Sequence, residues 1–423
     1  MTDQTLAQKL LAAAAGRDAV RVGEILNCRV DLAMFHDSSG PRRLKPMLDE
    51  LGTGLWDRSK VVLVMDHYVP ESDDESRRIV RIARDWARDQ ALPHVYDSVG
   101  ICHAVVPEHG HIRPGMFCVG GDSHSPTGGA FGAYMFGVGS TEMLGVVASG
   151  EIWIKVPQTL LMHWRGRLRD GVVAKDMALH MIGRFGMSGG RYQAAEFGGE
   201  AVQALSMQER MTLSNMSAEL GSQVGLIAPD ATTLQYLRAA GVPEDQLPDA
   251  AAWRTDAGAQ VERHDFDAGT LAPQVAAPHS PANAAAVSDY PGTAIQAAYI
   301  GACTGAKLED LRAADRVLQG RPVAPGVKLM VAPASLRDQQ QAEREGIMAR
   351  LVQSGADVLP NSCGACSGYG GSIPEDANVI STTARNFKGR MGSDTARVYL
   401  ASPYTVASSA LAGRIADPRE FLA

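Results

Sequence analysis

Short runs of apolar and β-branched residues alternate with longer amphipathic stretches along most of the chain. Val61-Val62-Leu63-Val64, Met116-Phe117-Cys118-Val119 and Ala298-Tyr299-Ile300 each read as a strand. So do Lys328-Leu329-Met330-Val331, Asp357-Val358-Leu359 and Asn378-Val379-Ile380. Strands alternating with helical patterns predict an α/β fold with mostly parallel sheets. At the N-terminus, Leu6 to Ala15 followed by Gly16 predicts a short helix with a glycine C-cap. Two breaks in the pattern predict boundaries. One lies near Lys155-Val156-Pro157-Gln158, and the other is the Ala/Pro-rich, weakly patterned stretch from Asp267 to Pro291. Three α/β domains are expected, at residues 1–157, 158–280 and 281–423.

Polar residues fall on this frame in a regular way. Asp66-His67 follows the Val61 strand, and Asp122-Ser123-His124 follows the Met116 strand after two glycines. Cys303-Thr304 follows the Ala298 strand, Cys363 and Cys366 follow the Asp357 strand, and Arg385 follows the Asn378 strand. Ligand sites of open α/β sheets gather outside the carboxyl ends of strands. Five reactive groups in that position predict one site assembled from several sheets.

Composition narrows the class. With 45% hydrophobic and 21% charged residues, the chain can bury a core without disulfides. A net charge of −7 provides no field for nucleic acid, so no nucleic-acid partner is expected. Met1-Thr2-Asp3-Gln4 lacks the basic and apolar regions of a secretory signal. No run reaches the roughly 18 apolar residues of a membrane span. A cytoplasmic protein without a membrane partner is expected, and its six cysteines should be reduced. Reduced cysteines favour metal or catalytic roles.

Cys363-Gly364-Ala365-Cys366 sits in a loop of small residues from Asn361 to Gly371, with Cys303 as a third candidate thiol. Small neighbours let a backbone approach a bulky inorganic centre and donate N–H groups to its sulfurs. Three thiolates on a [4Fe–4S] cluster would leave one iron open as a Lewis acid. Three other readings stay open on spacing alone: a redox pair, a Cys₃His zinc site, or inert buried thiols, as expected for Cys28, Cys102 and Cys118.

Ile300-Gly301-Ala302-Cys303-Thr304 and Cys363-Gly364-Ala365-Cys366 resemble the two cluster-ligand motifs of the aconitase superfamily. Met65-Asp66-His67, Gly100-Ile101-Cys102-His103, Gly121-Asp122-Ser123-His124, Asn215-Met216-Ser217-Ala218-Glu219 and Arg385-Asn386-Phe387-Lys388-Gly389-Arg390 match further signatures in order. The similarity runs from Val30-Asp31-Leu32-Ala33-Met34 to the C-terminus, and it is greatest for the isopropylmalate, homoaconitate and dimethylmalate dehydratase branch. The resemblance implies three α/β domains around a central [4Fe–4S] cluster and the dehydration of a hydroxy-dicarboxylate. It implies Cys303, Cys363 and Cys366 as cluster ligands, and Arg385 and Arg390 as carboxylate binders. Asp66, His67, His103, Asp122, His124 and Glu219 would be the catalytic lining, with Asp–His pairs fixing tautomers and moving protons. Single-chain members carry a fourth, swivelling domain, which this chain is expected to lack. A separate small subunit is therefore the expected partner, alongside the small dicarboxylate.

The chain departs from the family pattern at Gly305, where Asn usually stands, at Ala365, usually Pro, and at Ala384, usually Asn. Ser125-Pro126-Thr127 and Ser367-Gly368-Tyr369-Gly370 also differ. These positions bear on the substrate, for which isopropylmalate, homoaconitate, citramalate, dimethylmalate and maleate-type acids are the candidates. They also keep a non-catalytic, cluster-binding homologue in view. A nucleotide-binding oxidoreductase is the competing class. Its loop would be Gly137-Val138-Gly139-Ser140-Thr141-Glu142, which lacks the third glycine and a clear acidic partner.

Overall fold

The first helix, α1 (Leu6–Ala14), begins at Thr5, whose Oγ1 accepts the Gln8 N–H while Gln8 Oε1 accepts the Thr5 N–H. It ends before Gly16, which takes the left-handed conformation the sequence anticipated, at φ 66°. The computed structural model describes residues 3–369 and 373–422. Met1, Thr2, Gly370, Gly371 and Ala423, on which parts of the sequence reading fall, lie outside them.

Seven strands follow α1: β1 (Ile25–Arg29), β2 (Leu32–His36), β3 (Val61–Met65), β4 (His94–Asp97), β5 (Phe117–Gly120), β6 (Tyr134–Gly137) and β7 (Glu151–Lys155). The helices among them are α2 (Pro41–Leu51), α3 (Asp74–Asp89), α4 (Cys102–Glu108) and α5 (Ser140–Ser149). β2 to β6 form a parallel sheet in the order β4-β3-β2-β5-β6, while β1 and β7 pair antiparallel as a two-stranded ribbon. Every residue of β2 and of β3 is buried, as strands covered on both faces require.

A four-stranded parallel sheet comes next, built from β8 (Thr159–Arg165), β9 (Ala194–Gly198), β10 (Val224–Ile227) and β11 (Glu262–Asp267) in the order β10-β9-β8-β11. Helix α6 (Ala174–Phe185) follows β8. The largest sheet contains β12 (Gln274–Ala276), β13 (Ala284–Ala286), β14 (Ala297–Ile300), β15 (Lys328–Val331), β16 (Ala356–Val358), β17 (Asn378–Ser381) and β18 (Arg397–Ala401). Its order is β13-β12-β18-β17-β14-β15-β16, parallel except where β12 meets β13 and β18.

The strands expected from the apolar runs are present within a residue or two of their expected ends. The stretch from Asp267 to Pro291 differs from expectation, because it contributes β12 and β13 to the edge of the largest sheet. Its prolines, Pro273, Pro278 and Pro281, cannot donate to a ladder and cut the strands to three residues. Alanine-rich segments that short leave no readable period.

Strand order locates the site. The five-stranded sheet reverses direction between β2 and β5, and the largest sheet reverses between β17 and β14. Such switch points open a crevice at the strands' carboxyl ends. The loops at the first lead with His36 and Asp122, and those at the second with Cys303 and Arg385. A small apolar cluster of Ile101, Ala104 and Ala334, against which Cys303 and Cys363 pack, joins the two sheets beneath the crevice.

Candidate active site

One cavity of about 410 Å³ occupies the crevice. Cys303, Cys363 and Cys366 line it, together with His67, His103, Asp122 and His124. Arg385 and Arg390 complete the expected residues on its wall. Asp66 and Glu219 do not line the cavity; they stand behind His67 and His124 and hold them.

Asp66 directly follows β3 and is fully buried. One oxygen bonds His67 Nδ1 at 2.6 Å, and the other accepts the Cys102 N–H at the start of α4, at 2.7 Å. A helix N-terminus stabilises a carboxylate there, so Asp66 is locked as an acceptor. Burial works against the His67 imidazolium, but Asp66, Asp122 and Asp37 outweigh it and raise the group to about 9. Asp37, which the sequence reading did not select, accepts the N–H groups of His67 and Tyr68 and sets the turn after β3.

Asp122 is the hub. Its Oδ1 accepts the His124 N–H at 2.7 Å and bonds His103 Nε2 at 2.7 Å. Its Oδ2 lies 3.7 Å from His36 Nε2 and 3.8 Å from His67 Nε2. Burial raises the carboxyl, yet His103 and His124 hold it well below the usual range. His124 Nε2 reaches Glu219 Oε1 at 3.1 Å, and Arg385 Nε donates to the same oxygen at 2.6 Å. Glu219 thereby orients a histidine and a guanidinium together. Despite its burial, His124 and Arg385 keep it ionised.

The three thiols occupy distinct electrostatic surroundings. The Cys363 thiol donates to Cys366, which outweighs burial and, with Arg390, pulls Cys366 down into the thiolate form. Arg390 Nη2 donates to its sulfur at 3.8 Å. Asn215 Nδ2 donates to Cys303 at 3.2 Å. Cys28, Cys102 and Cys118 are free, buried in apolar surroundings and pushed up by that burial, as expected of inert thiols.

The donor set favours a polynuclear centre over a single ion. A lone zinc at about 2.3 Å from each sulfur needs its ligand atoms within about 4 Å of one another. Among the described residues, groups of three or more candidate ligand atoms within 4.8 Å are His36–Asp37–Asp66–His67 and His103–Asp122–His124, and neither includes a cysteine. The thiols therefore surround a larger volume, with N–H donors aimed at two of their sulfurs. Arg390 Nε, buried and without a partner, adds an unspent donor beside them.

Other site residues escaped the sequence reading. His36 is buried, stacks on His67 at 3.7 Å between centroids, and has an unpartnered Nε2 on the cavity wall. It is the last residue of β2, so the strand-end rule could have found it. Lys175, on α6, donates to Thr383 O at 2.8 Å, to Thr304 Oγ1 at 3.3 Å and to Thr382 O. Nothing in a helical pattern marks such a lysine. The departure at Gly305 has a steric reason: a Cβ there would overlap the Thr382 side chain. Ala384 lines the cavity beside Arg385.

Fold and site together define an α/β enzyme scaffold around a thiol-lined crevice, and the comparison with known families agrees. The model of the aconitase family (aconitate hydratase) matches residues 8–293 and 287–413, and the chain belongs to that family. The 3-isopropylmalate dehydratase large subunit 1 of Methanopyrus kandleri is 41% identical over 99% of this chain and 100% of its own length. The 3-isopropylmalate dehydratase large subunit of Nitratidesulfovibrio vulgaris is 42% identical over 98% of this chain and 99% of its own. The homoaconitase-type large subunit of Methanothermobacter thermautotrophicus is 38% identical over 99% of each chain.

Proposed function

We propose that this chain is the large subunit of a cytoplasmic [4Fe–4S] hydro-lyase that dehydrates and rehydrates a hydroxy-dicarboxylate, with interconversion of 3- and 2-isopropylmalate as the leading reaction. A separate small subunit completes it. The observation that supports this most is the meeting of three thiols, two arginines and the histidines of two Asp–His pairs on one cavity. Cys303, Cys363 and Cys366 would hold the cluster. When bound, a cluster with three protein thiolates supplies an open iron that acts as a Lewis acid toward a hydroxyl and a carboxylate.

The chain's own residues do the rest. Arg385 and Arg390 bind a substrate carboxylate, Arg385 already aimed by Glu219. His67, kept protonated by Asp66, presents Nε2 toward Asp122 on the cavity wall and delivers a proton to the departing hydroxide. Asp122 holds the His103 ring and Glu219 holds the His124 ring, so neither must reorganise as charge moves. Proton abstraction at the neighbouring carbon falls to the small subunit. The convergence of proton-holding and carboxylate-binding groups on the thiol-lined cavity argues against a merely structural cluster.

One observation favours a second substrate, a homoaconitate-type tricarboxylate. Arg43, on α2, lines the cavity opposite no carboxylate partner among the described residues. A spare guanidinium suits a third anionic arm better than an isopropyl group.

Anaerobic purification with iron and sulfide analysis and a visible spectrum tests the reading. About four irons per chain, lost in Cys363→Ser, is the expected result. Stoichiometric zinc, or no metal after reconstitution, would overturn it.

A further inference from the structure

Three cavities, each sharing wall residues with the next, lie in series from the thiols to the outer face of the β1–β7 ribbon. The thiol-lined cavity shares Asp122, Ser123, Val138 and Arg385 with a second, of about 360 Å³. The second shares Tyr192 and Gln223 with a third, of about 950 Å³. Helix α5 spans the same distance, with Ser140 on the first cavity and Thr141, Glu142 and Gly145 on the third.

The far end of this groove is apolar and unprotected. Trp153 is 68% exposed, Tyr192 63% and Val22 54%, and all three line the third cavity. Ile25, 67% exposed, lies diagonally across the ribbon from Trp153, since Ile25 pairs with Lys155 and Asn27 with Trp153. Contiguous apolar side chains of this size mark an interaction surface.

Tyr192 is held outward at a conformational cost. Arg191 and Tyr192 are consecutive non-glycine residues in the left-handed region, at φ 48° and 55°. The Tyr192 N–H donates to Gly221 O at 2.8 Å, and the Gln193 N–H donates to Gly190 O at 2.7 Å. Backbone held in so unfavourable a region is characteristic of functional segments.

We propose that this face is the docking surface of the small subunit, seated along the groove so that it closes the mouth of the site. The inference rests on the two-subunit reading above. The shared walls decide the occupant: a chain anchored on Trp153 and Tyr192 covers a row of cavities whose last is walled by Asp122 and Arg385. Burying the aromatic face and capping the cavity are then one event. A second copy of this chain would bring no chemical group that the site lacks. Trp and Tyr are the residue types that dominate interface energetics, and Glu142 and Lys155 supply a polar rim.

The test titrates the cluster-loaded chain with the separately purified small subunit of the same organism, by calorimetry and sedimentation. Trp153→Ser combined with Tyr192→Ser should weaken association at least about 10-fold while the cluster spectrum stays unchanged. Val352→Glu, on a helix of the largest sheet, should bind as wild type does. In case the double variant misfolds, amide exchange of the wild-type chain gives an independent reading. Protection of residues 22–29, 151–158 and 191–193 on adding the small subunit is expected. Wild-type affinity in a folded double variant, or no protection there, overturns the proposal. So does a dimer of the chain alone that the double variant splits. A missing cluster in the wild type would instead count against the hydro-lyase reading and leave the binding result standing.

Discussion

Single atoms decide what this site can do. Asp122 and Asp66 are carboxylates whose burial is offset by imidazoles and a helix N-terminus, so both remain acceptors in the middle of the protein. Lys175 plays a comparable part for the backbone. Its ammonium is 1% exposed and ties the Cys303–Thr304 turn to the loop that leads to Arg385. Lys175→Met would strand the buried Thr383 carbonyl and leave Thr382 O to Thr304 Oγ1 alone. Unfolding of the metal-free chain in denaturant should show a loss of about 3 kcal/mol. Iron content after reconstitution should fall as well, because the turn that presents Cys303 loses its tether.

At the scale of elements, the loops do the chemistry while the strands fix where each loop begins. β9 shows that a strand can also store a titratable group. Glu196 lies on this inner strand, buried, with Thr255 Oγ1 donating to Oε2 at 2.6 Å. Burial raises its carboxyl from 4.5 to about 7. A folded-state value above the unfolded one means that folding takes up a proton between those pH values. Stability from this group is therefore full below about 4.5 and is lost as pH rises through about 7. At about 1.4 kcal/mol per pH unit, the wild type gives up about 3 kcal/mol across that window. Glu196→Gln removes the titration and retains an acceptor for Thr255. Thermal unfolding should find it close to wild type at pH 4.5 and clearly more stable at pH 8; a constant difference between the two would contradict the assignment.

For the whole molecule, function depends on sheets meeting. The five-stranded sheet brings His67, His103 and the Asp122 hub, and the largest brings the thiols and arginines. The segments between β9 and β10 add Asn215 and Glu219. We propose that the three larger sheets are three units, the first two divided near residue 157; β12 belongs by its pairing to the third, which moves the second division from the expected 280 to between β11 and β12. No helix among the described residues is long and apolar enough to cross a membrane. On the proposed reading, in which proton abstraction falls to the small subunit, the cluster-loaded chain alone should turn over its substrate about 100-fold more slowly than with that subunit. Steady-state assays with and without that subunit measure this directly, and equal rates would remove the need for a partner.

Much of this was legible from residue order. A strand is announced by a run of β-branched residues, and a reactive residue just past its end needs no tertiary information to be noticed. Asp66, Asp122, Cys303, Cys363 and Arg385 were found that way, and family motifs supplied His103, Glu219 and Arg390. The three-residue strands β12 and β13 were not visible, because proline and alanine leave no period. Nor was Lys175, which looks like any helix lysine until Thr304, Thr382 and Thr383 close around it. The sequence alone determined which groups stand at strand ends, since that follows from local periodicity. Only the tertiary structure decided that four histidines share Asp122, that one glutamate aims both a histidine and an arginine, and that Trp153 and Tyr192 share a groove with the site. All of those relations but the one between His124 and Asp122 join residues 19 to 166 positions apart, and only packing sets the distance between them.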